Sequence, residues 1–436
     1  MNVPLRETLD RTLRLMRDEL IAESSDARML EALTDTDIVL VGDSRNLSCH
    51  AAQCAYVTAA LLMARSGHRV FLAAPDVPLV GPQPPLVGDR LVSALLEVGG
   101  DLLPGRGFSV YAPRREAGLT VVFGDSAPRY RAQRVIGVNA TAWSAQLARA
   151  SETAQWIERD WPCGALGAAG LASAEAFKVA MLKLRQHAQD PQHFADLFTF
   201  TDQAAVELAP ANTLRPSALD EFDLVSGGAV INAFVYVLAR LLGVTGRGHV
   251  VEPEVTDLSN LNRYVLLRRS AIERPKGDIL KAVVPPELEL QSIPLLYRGG
   301  TMPELGQFAP RVLVGTDDIP VRWQVQAEKP PWLGIGATTH WAAMASFHRE
   351  GLGCARCLHP RDEPTAGPIP TIAFVSFFAG LMLSCYFIRT VAGERVPPNE
   401  QYSYMSPLRP EHIWRSPVAV RADCPTCQFG ERVRAA

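Results

Sequence analysis

Four of the eight cysteines in this 436-residue chain stand in two Cys-x-x-Cys pairs, Cys354-Ala-Arg-Cys357 and Cys424-Pro-Thr-Cys427. Four thiolates suffice for one tetrahedral Zn²⁺ with no open coordination position, which is a structural site. The span between the pairs is longer than in a zinc ribbon, so the metal would staple the end of the chain to its domain. Two separate redox pairs are the alternative reading. The second group of chemistry-bearing residues lies upstream. It comprises Gly227-Gly228, the acidic Glu252 and Glu254, Ser259-Asn260-Leu261-Asn262-Arg263, Pro275-Lys276-Gly277, and Thr316-Asp317-Asp318 with Arg322 beyond. Singly, each has a plain explanation: a surface charge, a solvated strand end, or a cap on the next segment. In this order they suggest fixed cations beside a carboxylate at a nucleotide fold.

The elements that would carry them are legible. Residues 223–225 are a short apolar strand, and Gly227-Gly228 allows a tight turn. Residues 229–242 have helical spacing before Gly243, and 249–251 form a second strand ending on Glu252. Together these make a nucleotide-binding βαβ unit. The glycine signal alone is weak, because Ser226 and Ile231 occupy the outer positions of a GxGxxG pattern. Residues 312–314 read as a further strand that delivers Thr316-Asp317-Asp318.

This set of motifs resembles the ubiquitin-activating-enzyme superfamily, which includes the ThiF/MoeB-type adenylyltransferases. The shared pattern is a glycine turn, an acidic residue, SNLxR, a lysine, a TDN-like strand end and two CxxC pairs. It covers nearly the whole second half of the chain. The resemblance implies ATP-dependent adenylation, which joins a carboxylate to the α-phosphate of ATP and expels pyrophosphate. It assigns Arg263 and Lys276 to the phosphates, Asp317 to Mg²⁺, and Glu252 to the ribose hydroxyls. Gly228, Ala229, Asn260 and Asp318 are implied as further nucleotide contacts, and Cys354, Cys357, Cys424 and Cys427 as the Zn²⁺ ligands. The chain departs from the family at Glu252, usually Asp, and at Asp318, usually Asn. No cysteine occupies the segment where a thioester nucleophile is expected, between the first CxxC pair and the following apolar helix. Cys49, Cys54, Cys163 and Cys385 are the remaining thiols. An arginine from a partner half is a further expectation, with Arg11, Arg14 and Arg17 as candidates. Salt bridges on the helix surface are their plainer use.

Length leaves room for two or three domains and a large core. A net charge of −3 with 20% charged residues gives no basic excess for nucleic acid. The CxxC usage fits a reducing, cytoplasmic compartment. Residues 364–388 carry no charge and are long enough to span a bilayer. Pro368, Pro370 and Gly380 interrupt the run, and a buried helix between the halves of the metal site is the reading preferred to a membrane span.

The first half repeats the layout of the second. Strand 38–42, helix 51–65 and strand 69–73 lead to Asp76, with helix 91–98 and strands 120–123 and 134–138 following. It contains no lysine before Lys178 and no SNLxR motif. The expected fold class is therefore α/β with two Rossmann-like (ThiF-type) halves. Residues 1–205 form a degenerate, inactive adenylation-like domain, and residues 206–436 an active one with the zinc site. An unrelated α/β domain is the alternative for the first half, and residues 194–221 read as a linker. The expected function is activation of the C-terminal carboxylate of a ubiquitin-like protein. Thioester transfer and a conjugating enzyme are optional further steps. Alternatives are a sulfur-carrier protein or a ribosomal peptide as substrate, or a non-catalytic scaffold. Fused halves favour a monomeric pseudo-dimer, with homo-oligomerisation left open.

Overall fold

Short β-branched runs alternating with apolar helices build two parallel-rich sheets. The computed structural model describes residues 3–110, 116–127, 130–300, 304–362, 367 and 369–427. The first sheet holds β1 (Asp37–Val41), β2 (Arg69–Ala73), β3 (Phe108–Ser109), β4 (Leu119–Phe123), β5 (Val135–Ala140), β6 (Ser144–Arg149) and β7 (Ala204–Glu207). The second holds β8 (Ala218–Val225), β9 (Thr245–Val251), β10 (Leu288–Ile293), β11 (Arg311–Val314), β12 (Trp332–Thr339), β13 (Ala342–His348), β14 (Tyr402–Met405) and β15 (Ile413–Ser416). Their orders are β3-β2-β1-β4-β5-β6-β7 and β10-β9-β8-β11-β12-β13-β14-β15. Counted from its own first strand, the second sheet follows the order of the first and adds one strand at the far edge.

In both sheets the first five strands run parallel and the remainder antiparallel. Strand order therefore reverses between β1 and β4, and again between β8 and β11. A crevice opens at the carboxyl ends of parallel strands at such a reversal, and ligands of this fold bind there.

Strand alternation sorts the apolar residues by face. Ile38 and Leu40 of β1 point into the main core with Phe222 and Leu224 of β8, whereas Val39 and Val41 face a small outer cluster. Four helices fill the shared inner layer: His50–Arg65, Cys163–Leu182, Ala229–Leu238 and Ala373–Val391. The second and fourth are apolar and long enough to cross a bilayer by composition, and both are core helices here. The uncharged run noted in the sequence thus supplies a buried helix from Ala373 onward; residues 364–366 and 368 at its start lie outside the described residues.

Polar contacts also cross this layer. The Thr58 and Tyr236 hydroxyls, both buried, meet at 2.7 Å. The fully buried Arg65 donates to the carbonyls of Leu261 and Val265 at 2.6 and 3.1 Å, and to that of Leu267. The segment read as a linker contains the end of the helix Pro191–Phe198 and all of β7, which pairs with β6. The first sheet thus ends at Glu207, and the second begins at Ala218.

Candidate functional site

The turn after β8 is built by backbone strain and one carboxylate. Ser226 takes φ +97°, a conformation that costs a side-chain-bearing residue about 1–2 kcal/mol. Its hydroxyl accepts the Gly228 N–H at 2.9 Å. Glu252, 5% exposed at the end of β9, accepts the Gly227 N–H on one carboxylate oxygen and the Glu254 N–H, at 2.9 Å, on the other. Glu252 therefore braces the turn from below. Gly228 caps the helix Ala229–Leu238, so the helix's free N–H groups open onto the crevice.

Close packing here depends on a glycine that the sequence pattern did not flag. A Cβ on Gly315, at the end of β11, would lie 2.6 Å from Cγ1 of Ile231. In the fingerprint the helix carries the small residue that permits close helix–strand approach. Here the bulk sits on the helix and the gap on the strand, which is why Ile231 can replace the usual glycine.

Lys276 begins the helix Lys276–Val283 and is 7% exposed. Its ammonium pairs with Glu254 and lies 5.6 Å from the centre of the Tyr264 ring. Burial alone would lower its pKa; Tyr264, Glu254 and Glu252 outweigh that and raise it above the usual lysine value. Arg263 stands 5.3 Å from the same ring and donates to the Ser259 carbonyl and, at 3.0 Å, to Asn262 Oδ1. Tyr264, absent from the sequence reading, is thus near both cations. Its hydroxyl also lies 3.9 Å from where a Cβ on Gly228 would stand. Asn260 is 3% exposed and exchanges hydrogen bonds with Asp257 in a capping box, so its amide shapes the loop.

Among the three expected arginines of the first half, one approaches this loop. Arg14 pairs with Asp10, and Arg17 with Asp26. Arg11 reaches the Ile369 carbonyl at 3.2 Å. Burial and then the Arg263 charge hold its guanidinium below the usual arginine range. Asn262 adds a bond across the halves, to Thr12 at 3.0 Å. Asp317 and Asp318 are exposed just past β11, and Asp318 caps the next helix by accepting the Val321 N–H at 3.1 Å.

The equivalent crevice of the first sheet is filled. Asn46, fully buried, donates to Asp43, to Asp125 at 2.9 Å and to Ser126, and its Oδ1 accepts the Trp156 N–H at 2.9 Å. Gly124 is needed there, since a Cβ would lie 2.2 Å from that Oδ1. A groove of about 410 Å³ does open elsewhere on this half, but its two arginines, Arg134 and Arg149, both pair with Asp202.

The two CxxC pairs converge. All four sulfurs lie within 4.8 Å of one another, with neighbouring separations of 3.4, 3.5, 3.5 and 3.7 Å. A tetrahedron of sulfurs about 2.3 Å from zinc has edges of about 3.8 Å, whereas a disulfide would need about 2.05 Å. The donor set therefore fits one Zn²⁺ better than two independent redox pairs. The Arg421 N–H donates to the Cys357 sulfur at 3.4 Å, a backbone brace usual around metal thiolates.

The other four thiols are enclosed: Cys49 is 5% exposed, Cys385 1%, and Cys54 and Cys163 are fully buried. Burial pushes the thiols of Cys49 and Cys163 up. At Cys54 burial opposes ionisation, but His50, 3.3 Å away, outweighs it and lowers the pKa. Both nitrogens of His50 lie at hydrogen-bond distance from carbonyls, 2.6 Å from that of Val80 and 2.7 Å from that of Arg240, which calls for an imidazolium. Among these four, the thiol whose pKa is lowered is thus sealed in the seam between the sheets.

Residues 38–195 match the family described as the BilD N-terminal domain. "Uncharacterized protein y4jF" of Sinorhizobium fredii (strain NBRC 101917 / NGR234) is 27% identical over 249 residues, which are 56% of this chain. The match covers 47% of that relative, so the chain spans about half its length. Among solved structures the chain is similar to E. coli MccB bound to succinimide, at a TM-score of 0.39 and 14% identity, covering 59% of this chain and 81% of that one. It is also similar to the microcin C7 biosynthetic enzyme MccB in complex with N-formylated MccA, at 0.40 and 12%, covering 67% and 97%. PaaA follows at 0.37 and 12%, covering 46% and 64%. With TM-scores of 0.40 and below, these likenesses carry no weight for the function of this chain.

Proposed function

We propose that the chain adenylates a C-terminal carboxylate on a peptide or small protein, using ATP at the β8/β11 crevice. The observation that carries the reading is that Lys276 and Arg263 stand 5.6 and 5.3 Å from the Tyr264 ring beside the strained turn, with Arg11 of the first half close enough for the Arg263 charge to lower its pKa. Among the described residues, the only ion pair these cations make is that of Lys276 with Glu254, a side chain that is 67% exposed. Lys276 is buried and Arg263 and Arg11 are half-buried, so a triphosphate in this crevice would meet three partly shielded positive charges.

In this reading the carboxylate oxygen attacks the α-phosphorus, the bond to the β-phosphate oxygen breaks, and pyrophosphate leaves. The helix N-terminus at Gly228–Ala229 and the three cations hold the phosphates while charge shifts between oxygens. Asp317 is the exposed carboxylate suited to Mg²⁺, which supplies further charge neutralisation at the phosphates when bound. Glu252 fixes the turn and keeps lone pairs for a ribose hydroxyl. Asp318 and Asn260 support the loops on either side. Cys354, Cys357, Cys424 and Cys427 would hold a structural Zn²⁺ with no open position.

The burial of Cys49, Cys54, Cys163 and Cys385 favours a reaction that stops at the acyl-adenylate. That places a ribosomal peptide ahead of a ubiquitin-like protein passed on through a thioester. The filled crevice of the first half, the mark of a retained inactive partner, is what keeps a ubiquitin-like substrate as the second reading.

The test is substrate-dependent ATP–pyrophosphate exchange. One arm offers short peptides with free or amidated C-termini, and the other a glycine-ending β-grasp protein. Exchange that requires the free carboxylate supports adenylation. A covalent adduct cleaved by reductant would overturn the acyl-adenylate endpoint, and no exchange or AMP release in either arm would overturn the assignment.

A further inference from the structure

The helix Ile319–Ala327, which follows Asp317 and Asp318, is tied at both ends. Toward β11, Arg322 folds back and donates twice to the Thr316 carbonyl, from Nε at 3.1 Å and Nη2 at 2.7 Å. Arg322 is 5% exposed, so these bonds are shielded from water. Its remaining Nη1 lies 3.2 Å from Nε2 of His359. A guanidinium only donates, so this nitrogen is the acceptor.

Toward the cysteines, the same helix meets the knuckle residue by residue. The Trp323 indole donates to the His359 carbonyl at 2.8 Å, and Gln326 accepts the Ala355 N–H at 3.0 Å. The Arg356 guanidinium lies 4.4 Å from the Trp323 ring centre. Ala355 and Arg356 lie between Cys354 and Cys357, and His359 is two residues past Cys357. Among the described residues, the side-chain link that continues to the strand end is His359–Arg322–Thr316, and Thr316 immediately precedes Asp317.

We propose that the four-cysteine knuckle and the Thr316–Asp318 strand end are coupled through His359, so that metal at the cysteines raises the affinity for Mg²⁺-ATP. His359 is a positioning residue in this scheme, not a catalytic one. The proposal rests on the adenylation reading and adds a regulatory input to that site. Without metal, nothing covalent or coordinate holds the four sulfurs together, and the knuckle is free to loosen. Arg322 then loses its third acceptor and the Thr316 carbonyl its fixed partner. The coupling is reciprocal: ATP must tighten metal binding by the same factor.

The experiment uses the full chain loaded with zinc. Zinc affinity is read by competition with a chromophoric chelator, with and without Mg²⁺-ATP, and ATP affinity by calorimetry. Wild type is expected to bind zinc more tightly with ATP, by about five- to tenfold, a typical coupling between sites. His359→Ala should keep one zinc per chain, lose that dependence, and bind ATP about tenfold more weakly, the loss of one bond to a charged group. His359→Gln should restore both, because its amide oxygen can take the place of Nε2. Zinc affinity in wild type that ignores ATP would overturn the coupling, as would His359→Ala behaving like wild type. Should His359→Ala fail to fold, the wild-type competition and the Gln variant still decide. Zinc-loaded wild type that binds no ATP at all would sink the adenylation reading itself, a result distinct from ATP binding that is indifferent to zinc.

Discussion

Replacing Lys276 by Met separates the fold from the chemistry. The lysine stem packs beside Gly227, where a Cβ would lie 3.1 Å from that of Lys276, and methionine keeps that apolar volume. What the variant removes is one ammonium. In the fold its partner is Glu254, whose side chain is 67% exposed, so the pair contributes only about 0–1 kcal/mol. For a chain of 436 residues that is a melting shift of about 1 °C at most. At a triphosphate the same charge faces a shielded anion. Removing one fixed donor from such a site typically costs about 10²–10³ in rate, or about 2.7–4 kcal/mol. The functional loss should therefore exceed the structural loss several-fold. Lys276→Met is expected to lower ATP–pyrophosphate exchange at least about 100-fold while melting close to wild type and keeping its zinc. Asp317→Ala should behave in the same way. Exchange within about threefold of wild type would mean that Lys276 serves only its pair with Glu254, and the phosphate assignment would fail.

Arg11→Met removes a charge whose pKa is held down by burial and by Arg263, so ATP affinity should fall about tenfold while the melting temperature stays level or rises; a parallel loss of both would refute a functional Arg11. At Ser226 the strain and the hydroxyl act oppositely, so Ser226→Gly should be more stable than Ser226→Ala by about 1–2 kcal/mol in denaturant unfolding. Burial lowers His68 from 6.5 to about 4, and its Nδ1 donates to the Leu33 carbonyl at 3.1 Å. The unfolded chain therefore binds the extra proton between those values, and stability must fall with acid by about 1.4 kcal/mol per pH unit across that window. His68→Asn keeps the donor without the titration, and stability measured from pH 6.5 to 4.5 should lose that slope relative to wild type.

Several parallel strands were legible because each is a short apolar run between turn signals: β2 falls on the expected residues 69–73, and β1 and β11 within a residue of expectation, whereas only the ends of β8 and β9 were read and β3, β10 and β12 were not. The antiparallel strands were not legible. β14 and β15 are half exposed and carry polar residues, with Tyr404 opposite the exposed Trp414, so their only signal is pairing with a neighbour distant in sequence. β7 was hidden for the same reason inside a segment rich in proline and polar residues. At the site, residue types flagged Lys276, Arg263 and Glu252, but not Tyr264 beside both cations or Gly315 beneath Ile231. Both owe their roles to contacts across the crevice.

The first half meets the second crevice through contacts to one of its loops. It repeats the strand order of the second, yet its switch point is occupied by Asn46 bonded to Asp43 and Asp125, two carboxylates where a phosphate would need cations. On the adenylation reading its contribution is instead mechanical and electrostatic. Arg65 gathers the carbonyls of Leu261, Val265 and Leu267, Thr12 holds Asn262, and Arg11 faces Arg263. Each of these contacts ends on the loop that carries Arg263 and Tyr264. A buried guanidinium that satisfies three carbonyls of one loop fixes that loop's curvature, because releasing any of them strands a desolvated acceptor at about 1–3 kcal/mol. One wall of the second crevice is thus built by residues of the first half.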